Sequence, residues 1–399
     1  EHVNMYKVEN GFDLDELIYG IFISLLFFGY PIFSILATIF DQDVLTIFYR
    51  GICIFIGLLA MVIPSKKFGC YASYSMVQIL VISLHLIYLS WVLYYFSNGY
   101  RNENLDLSFY VNNAILFSLI PVLLLNKKIT SDTLIVLKKQ FKLFILMFIA
   151  LTFIAYTLGL SDPYRLSFEK INPISLSLYA AICILFCNWS FRSKTISICV
   201  IILLLFIMVL SGSRGPLLAL FLVTCSSIFF RIKFIKKIYA VFTTAVLFFT
   251  IIVFYDNLVD YIPIISRFNL ATTEGSLSVN IREEQYKSAI EIFSNNPYLG
   301  GSLVEKFAFF YPHNIVLEIL ITGGIVLFLI YFLVFSAFLV EIINALRNKI
   351  PICFIHVFFL LFVSYMFTSS LAGIGLLYFV IVIISKIKLD YKYDKYNHC

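Results

Sequence analysis

Apolar runs of bilayer length recur along almost the whole chain, and they rule out most folds before any single residue is considered. Runs of about 17–25 residues are needed to cross the hydrocarbon core. They fall near 17–39, 44–63, 75–97, 108–125, 141–160, 173–190, 195–211, 215–230, 238–258, 314–343, 350–369 and 371–385. Inside a bilayer the backbone must satisfy its own polar groups, so spans are helices or closed barrels. Composition agrees, with 61% hydrophobic and 13% charged residues, where a soluble domain is about half apolar and a quarter charged. The expectation is an all-α integral membrane protein of about twelve transmembrane helices, with one large polar loop containing short amphipathic helices. It divides into N-terminal helices (1–258, about nine), the loop (259–313), and about three C-terminal helices with a cytoplasmic tail (314–399).

Charge gives these spans sides. With the N-terminus cytoplasmic, alternate loops place 20 of the 29 basic residues on the cytoplasmic side, as the positive-inside bias requires. Most of these are Lys. Eight lie opposite: Arg101, Arg165, Lys170, Arg214, Arg267, Arg282, Lys287 and Lys306. Arg50 falls within the second span. Five of the outer eight are Arg, whose planar fork suits bidentate binding of phosphate or carboxylate better than the point charge of Lys. Salt bridges and headgroup contacts are the bland alternative for each. The acidic start (Glu9, Asp13, Asp15, Glu16) argues against a cleavable signal. Eight cysteines are scattered through apolar segments, and even Cys183 and Cys187, one turn apart, have no further ligand near. Neither a disulfide framework, a metal site nor a nucleic-acid surface is indicated.

Four stretches carry candidate chemistry. In Ser211-Gly212-Ser213-Arg214-Gly215-Pro216, two spans meet almost without a loop. Pro suits the first turn of a helix, so a span is expected to start near Pro216, and Ser213 and Arg214 form an anion-site candidate. The alternative is a tight helix–helix turn with a snorkelling Arg. In the large loop, Asn280 as N-cap with Glu283 three residues on predicts a capped helix. Tyr286, Ala289, Ile290 and Phe293 would form its apolar stripe, with Arg282 on the stripe side. An ion pair of Arg282 with Glu283 or Glu284 is the plain alternative. The loop closes on Tyr311-Pro312-His313-Asn314, and Asn314, Glu318 and Thr322 then line one face of the next span. A carboxylate inside a span is costly unless paired or facing a polar cavity, and His313 titrates near neutrality; a helix cap is the alternative for His313. Arg165 in a shorter outer loop, Arg267 and Arg50 complete the set. His85 and His356 read as satisfied structural histidines.

The order SGSRGPLLAL (211–220), Arg282, NPYLGGS (296–302), HN (313–314) and LEILITGG (317–324) resembles the family of bacterial O-antigen polymerases and O-antigen ligases. The resemblance is best over 172–324. It implies a bacterial inner-membrane protein, with a periplasmic loop, that transfers an oligosaccharide from undecaprenyl pyrophosphate to a sugar hydroxyl at the periplasmic face. It implies no nucleotide sugar, cofactor or metal. Its functional arginines would correspond to Arg214 and Arg282, and its histidine to His313. Glu318 would orient His313, and Arg165, Arg267, Arg50, Asn314 and Ser213 would bind substrate. Expected partners are the lipid-linked oligosaccharide, membrane lipids and a chain-length regulator, with both termini cytoplasmic. Polymerase is favoured over ligase. A lipid-linked sugar flippase would put charge deep in several spans and gives no reason for the capped loop. A cell-wall glycan polymerase or a membrane scaffold are further alternatives.

Overall fold

The computed structural model describes residues 13–63, 74–102, 105–163, 165–231, 273–368 and 370–388. Its elements are helices: α1 Leu14–Phe40, α2 Val44–Val62, α3 Met76–Ser97, α4 Leu107–Leu124 and α5 Ser131–Thr157. There follow α6 Pro173–Ser190, α7 Lys194–Ser211, α8 Arg214–Arg231, α9 Thr273–Asn295, α10 Ile315–Arg347, α11 Ile352–Thr368 and α12 Gly375–Lys386. Among the described residues there is no strand beyond two isolated bridges. Seven helices are long and apolar enough to cross a membrane (α1–α4, α6, α7 and α10), and shorter apolar stretches lie in α8, α11 and α12. The run expected at 238–258 lies outside the described residues.

Local sequence accounts for most boundaries. Ser75, Thr130, Asn172 and Asn314 each accept a backbone N–H of the helix they start, which satisfies a donor that no helical carbonyl can reach. Pro173 occupies the first helical position. Gly212 closes α7 in the left-handed conformation at φ 60°, as does Asp41 for α1. One boundary differs from expectation: α8 starts at Arg214, two residues before the expected Pro216. Pro216 still lies in its first turn, where a missing N–H loses no bond.

Packing centres on α12, all of whose residues are buried, and on an aromatic knot among α1, α5, α6 and α11. Phe28 and Phe141 lie 4.9 Å apart, Phe141 and Phe186 4.7 Å, and Phe186 and Phe354 5.2 Å, all edge-on. That is the favoured geometry for ring quadrupoles. Large apolar residues point outward on α2 and α7, among them Phe55, Leu58, Ile198 and Ile202, as expected of faces turned to lipid rather than water.

Loops that charge assigns to one side also meet at one end of the bundle. At the lysine-rich end, Lys127 Nζ donates to Ile63 O at 2.6 Å and Tyr19 Oη to Lys127 O at 3.0 Å. Ile129 bridges Ile387 there. At the other end, Lys170 pairs with Asp43 at 2.6 Å, Leu166 N donates to Leu210 O at 2.8 Å, and Asn102 Nδ2 to Phe309 O at 2.8 Å. Arg282 and His313, the described candidates of the large loop, stand at this second end.

The span expected over 314–343 is not one straight helix. α10 breaks at Gly324, where φ 58° and ψ −155° are non-helical. Glycine alone tolerates such angles, and the Gly323-Gly324 pair supplies the kink.

Candidate active site

α9 carries Arg282. The helix begins at Thr273 rather than capping at Asn280, so Asn280 is an interior residue. The propensity cost of Asn inside a helix is a fraction of a kcal/mol, less than the gain from propagating the helix upstream. Its buried face is also turned from the expected stripe. Gln285, Ala289 and Ile292 are buried, whereas Ile290 is 53% exposed. Ala289 and Ile292 pack on Leu317 and Ile321 of α10, which seats Arg282 about two turns up from Ala289 on the same face, half-buried. The local ion pair does not form: Glu283 and Glu284 both hold Lys287, at 3.0 and 2.9 Å. Among the described residues no hydrogen bond or ion pair engages the Arg282 guanidinium. Its electrostatic influence falls on His313.

The chain then folds back onto the α10 break. Gly301 N and Ser302 N donate to Ile321 O at 2.8 and 3.1 Å, and Ile325 N and Val326 N donate to Pro297 O and Tyr298 O at 2.8 and 3.3 Å. Tyr95 Oη donates to Thr322 O at 2.9 Å. Backbone groups freed by the kink thus find partners in the Asn-Pro-Tyr-Leu-Gly-Gly-Ser loop, as a broken helix in apolar surroundings requires. The approach is so close that a Cβ at Gly300 would stand 2.5 Å from Ile321 O, and one at Gly324 2.4 Å from Tyr298 O. Next, Glu305, fully buried, accepts the N–H groups of Phe307 and Ala308 and the amide of Gln285. That turn, also held by Lys306 N on Ser288 Oγ at 2.8 Å, ties the approach to His313 onto α9. Sequence reasoning missed Glu305, because its partners are backbone groups with no side-chain signature.

His313 takes a left-handed backbone at φ 53°. It does not cap α10; Asn314 does, accepting Leu317 N at 3.1 Å. The imidazole lies edge-on to Tyr311 and tilted against Phe310, at 4.7 and 5.6 Å between ring centres. Its Nδ1 is buried without a hydrogen-bond partner. Burial first, and then the Arg282 charge, hold its pKa down at about 4, opposed by the hydrogen-bonding backbone of Thr368. The ring is therefore neutral at physiological pH, with a lone pair available. Burial and the nearby Glu318 carboxylate push the Tyr311 hydroxyl up to about 12, so it stays a donor.

Glu318, 2% exposed, accepts Leu371 N at 2.8 Å. His313 and Glu318 therefore both reach the crossover after α11, at Thr368 and Leu371. The Arg214 turn reaches it too, since a Cβ on Gly215 would lie 2.8 Å from Thr368 Cγ2. Ser213 is buried in that turn, and Leu166 N on Leu210 O brings the Arg165 loop beside it. Arg50 stands apart, over the Phe117 ring at 4.0 Å and near Tyr30 and Tyr49. Arg267 lies outside the described residues. Both nitrogens of His85 are engaged, by Val81 O and Ser118 Oγ. Among the described residues no three His, Cys, Asp or Glu side chains gather as metal ligands.

A kinked, all-α membrane protein with a basic site built on a loop at one bundle end defines the class. Within it, residues 199–332 match the family model described as O-antigen ligase, so this part of the chain is similar to that family. The matched third runs from α7 through the Arg214 turn, α9 and His313 to just past the α10 break. No curated protein matches the chain. The family points to a glycosyltransferase-like activity in a context of lipid-linked oligosaccharide.

Proposed function

We propose that the protein is a polymerase of surface polysaccharide, joining oligosaccharide repeat units carried on undecaprenyl pyrophosphate at the periplasmic face of the inner membrane. The observation that carries this is Arg282. It is a half-buried guanidinium that no described carboxylate neutralises, facing a neutral imidazole with an unpartnered nitrogen.

Arg282 and Arg214 would hold the pyrophosphate of the donor, Arg282 through its free fork. The acceptor hydroxyl, placed at His313, attacks the anomeric carbon. Its proton passes to the imidazole while the anomeric carbon–oxygen bond breaks and the electron pair leaves with the pyrophosphate. Developing negative charge on the leaving group is what a preorganised guanidinium stabilises. An anion bound at Arg282 also offsets the charge that depresses His313, lifting the base toward neutrality, where proton transfer is most effective. Asn314, Ser213, Arg165 and Arg267 are candidate substrate contacts, with Arg50 a more distant one.

The test is complementation of a strain lacking its surface-polysaccharide polymerase. A ladder of chain lengths restored by the wild type, and collapsed to one repeat by Arg282→Ala at normal protein level, supports the polymerase. No ladder in that strain, but restored transfer of glycan to lipid A-core in a strain lacking its ligase, marks a ligase instead. An intact ladder in Arg214→Ala, Arg282→Ala and His313→Ala alike sinks the site.

A further inference from the structure

Three separate elements converge on the two ends of the crossover between α11 and the 3-10 turn Leu371–Gly373. Glu318 holds Leu371 N. The Thr368 backbone bonds the His313 ring, and the Thr368 methyl fills the space over Gly215. We propose that Thr368 and Leu371 form a positioning strut, pinned by Glu318, that fixes His313 and the Arg214 turn relative to each other.

The strut is stiff for identifiable reasons. Thr368 is β-branched, and its Oγ1 donates to Ser364 O at 2.8 Å, so Cγ2 cannot swing away from Gly215 without losing that bond. Leu371 and Ala372 are buried. Glu318 has no other hydrogen bond among the described residues. The hydroxyls of Tyr88, Tyr110, Tyr311 and Tyr331 lie within its electrostatic range. Around His313 itself the charged and titratable neighbours are Arg282 from α9 and Tyr311 from the loop. Across Thr368 lies the turn bearing Arg214. Glu318 thus acts on His313 through the crossover.

The test is a double-mutant cycle on the full chain in lipid nanodiscs, read by 15N-histidine NMR, with His313 assigned by its loss in His313→Gln. Gly215→Ala pushes on Thr368 Cγ2 and is expected to move the His313 resonances. Thr368→Ser removes that methyl, so in its background Gly215→Ala should no longer move them. Transfer turnover should follow, falling about 10–100-fold in Gly215→Ala, and recovering in the double variant relative to Gly215→Ala. A second pair guards against misfolding: Glu318→Gln keeps an acceptor for Leu371 N and should retain the wild-type His313 signals, whereas Glu318→Ala should not. Equal effects of Gly215→Ala in both backgrounds, or signals lost equally in Glu318→Gln and Glu318→Ala, overturn the strut. Because the NMR arm needs no reaction, His313 signals that obey the cycle without any transfer activity uphold the strut and overturn the reaction proposed above.

Discussion

The glycine-rich lock and the Arg282–His313 face sit side by side on the same loop, yet they use their residues in opposite ways. In the lock, Pro297–Ser302 and the residues flanking Gly323–Gly324 contribute backbone: Gly301 N and Ser302 N bond Ile321 O, and Ile325 N and Val326 N bond Pro297 O and Tyr298 O, at 2.8–3.3 Å, while the glycines matter by lacking side chains. In the face, the Arg282 guanidinium and the Nδ1 of His313 are side-chain groups with no hydrogen-bond partner among the described residues. The first arrangement is closed and the second open. Motif density along the chain treats them alike; satisfied versus unsatisfied polar groups separate them.

Perturbing the lock should have the largest effect, on folding. Gly324→Ala places a Cβ 2.4 Å from Tyr298 O and forces a strained backbone, costing at least about 3 kcal/mol with the lost loop bonds. Membrane-inserted folded protein, measured by detergent-resistant monodisperse fraction, should mostly disappear. Recovery of normal levels would mean the lock is dispensable.

Perturbing the face should act on turnover. His313→Ala should reduce transfer about 10²–10⁴-fold at unchanged thermal unfolding. The pH dependence has a defined sign. With the pKa near 4, the ring is neutral from alkaline pH down to about pH 5, so donor-free His313 signals should titrate only below that. Arg282→Ala removes a positive neighbour and should raise that midpoint toward the ordinary value. A midpoint near 6.5 already in the wild type would contradict the burial described.

Smaller effects discriminate fork from charge. Arg282→Lys keeps the charge and loses bidentate geometry, and should still cost about tenfold in turnover. Lys287→Ala, which breaks only exposed pairs with Glu283 and Glu284, should change stability by less than about 1 kcal/mol and leave transfer intact.

Much of the frame was legible in the sequence, because hydropathy reports burial in lipid directly and loop charge reports sidedness. Arg282 and His313 were legible as candidates for different reasons: positive charge is disfavoured on the outer side, and a histidine at the mouth of a span titrates near neutrality. The α9 start was not, since Asn280-Ile-Arg-Glu283 satisfies a capping pattern that an interior Asn violates at little cost. Nor was the α10 break. Gly323-Gly324 looks like any small pair in a span until Pro297–Gly301 is seen supplying its bonds. Glu305, Thr368 and Leu371 were hidden for the deepest reason, since their partners are backbone groups or a missing Cβ, which no spacing encodes.

The most direct test is turnover per folded molecule of Arg282→Ala, assayed with lipid-pyrophosphate-linked repeat units in nanodiscs. The account predicts a fall of about 10²–10³-fold with the folded fraction and unfolding temperature of the wild type. Unchanged turnover per folded molecule, with any loss traced to less protein, would contradict it.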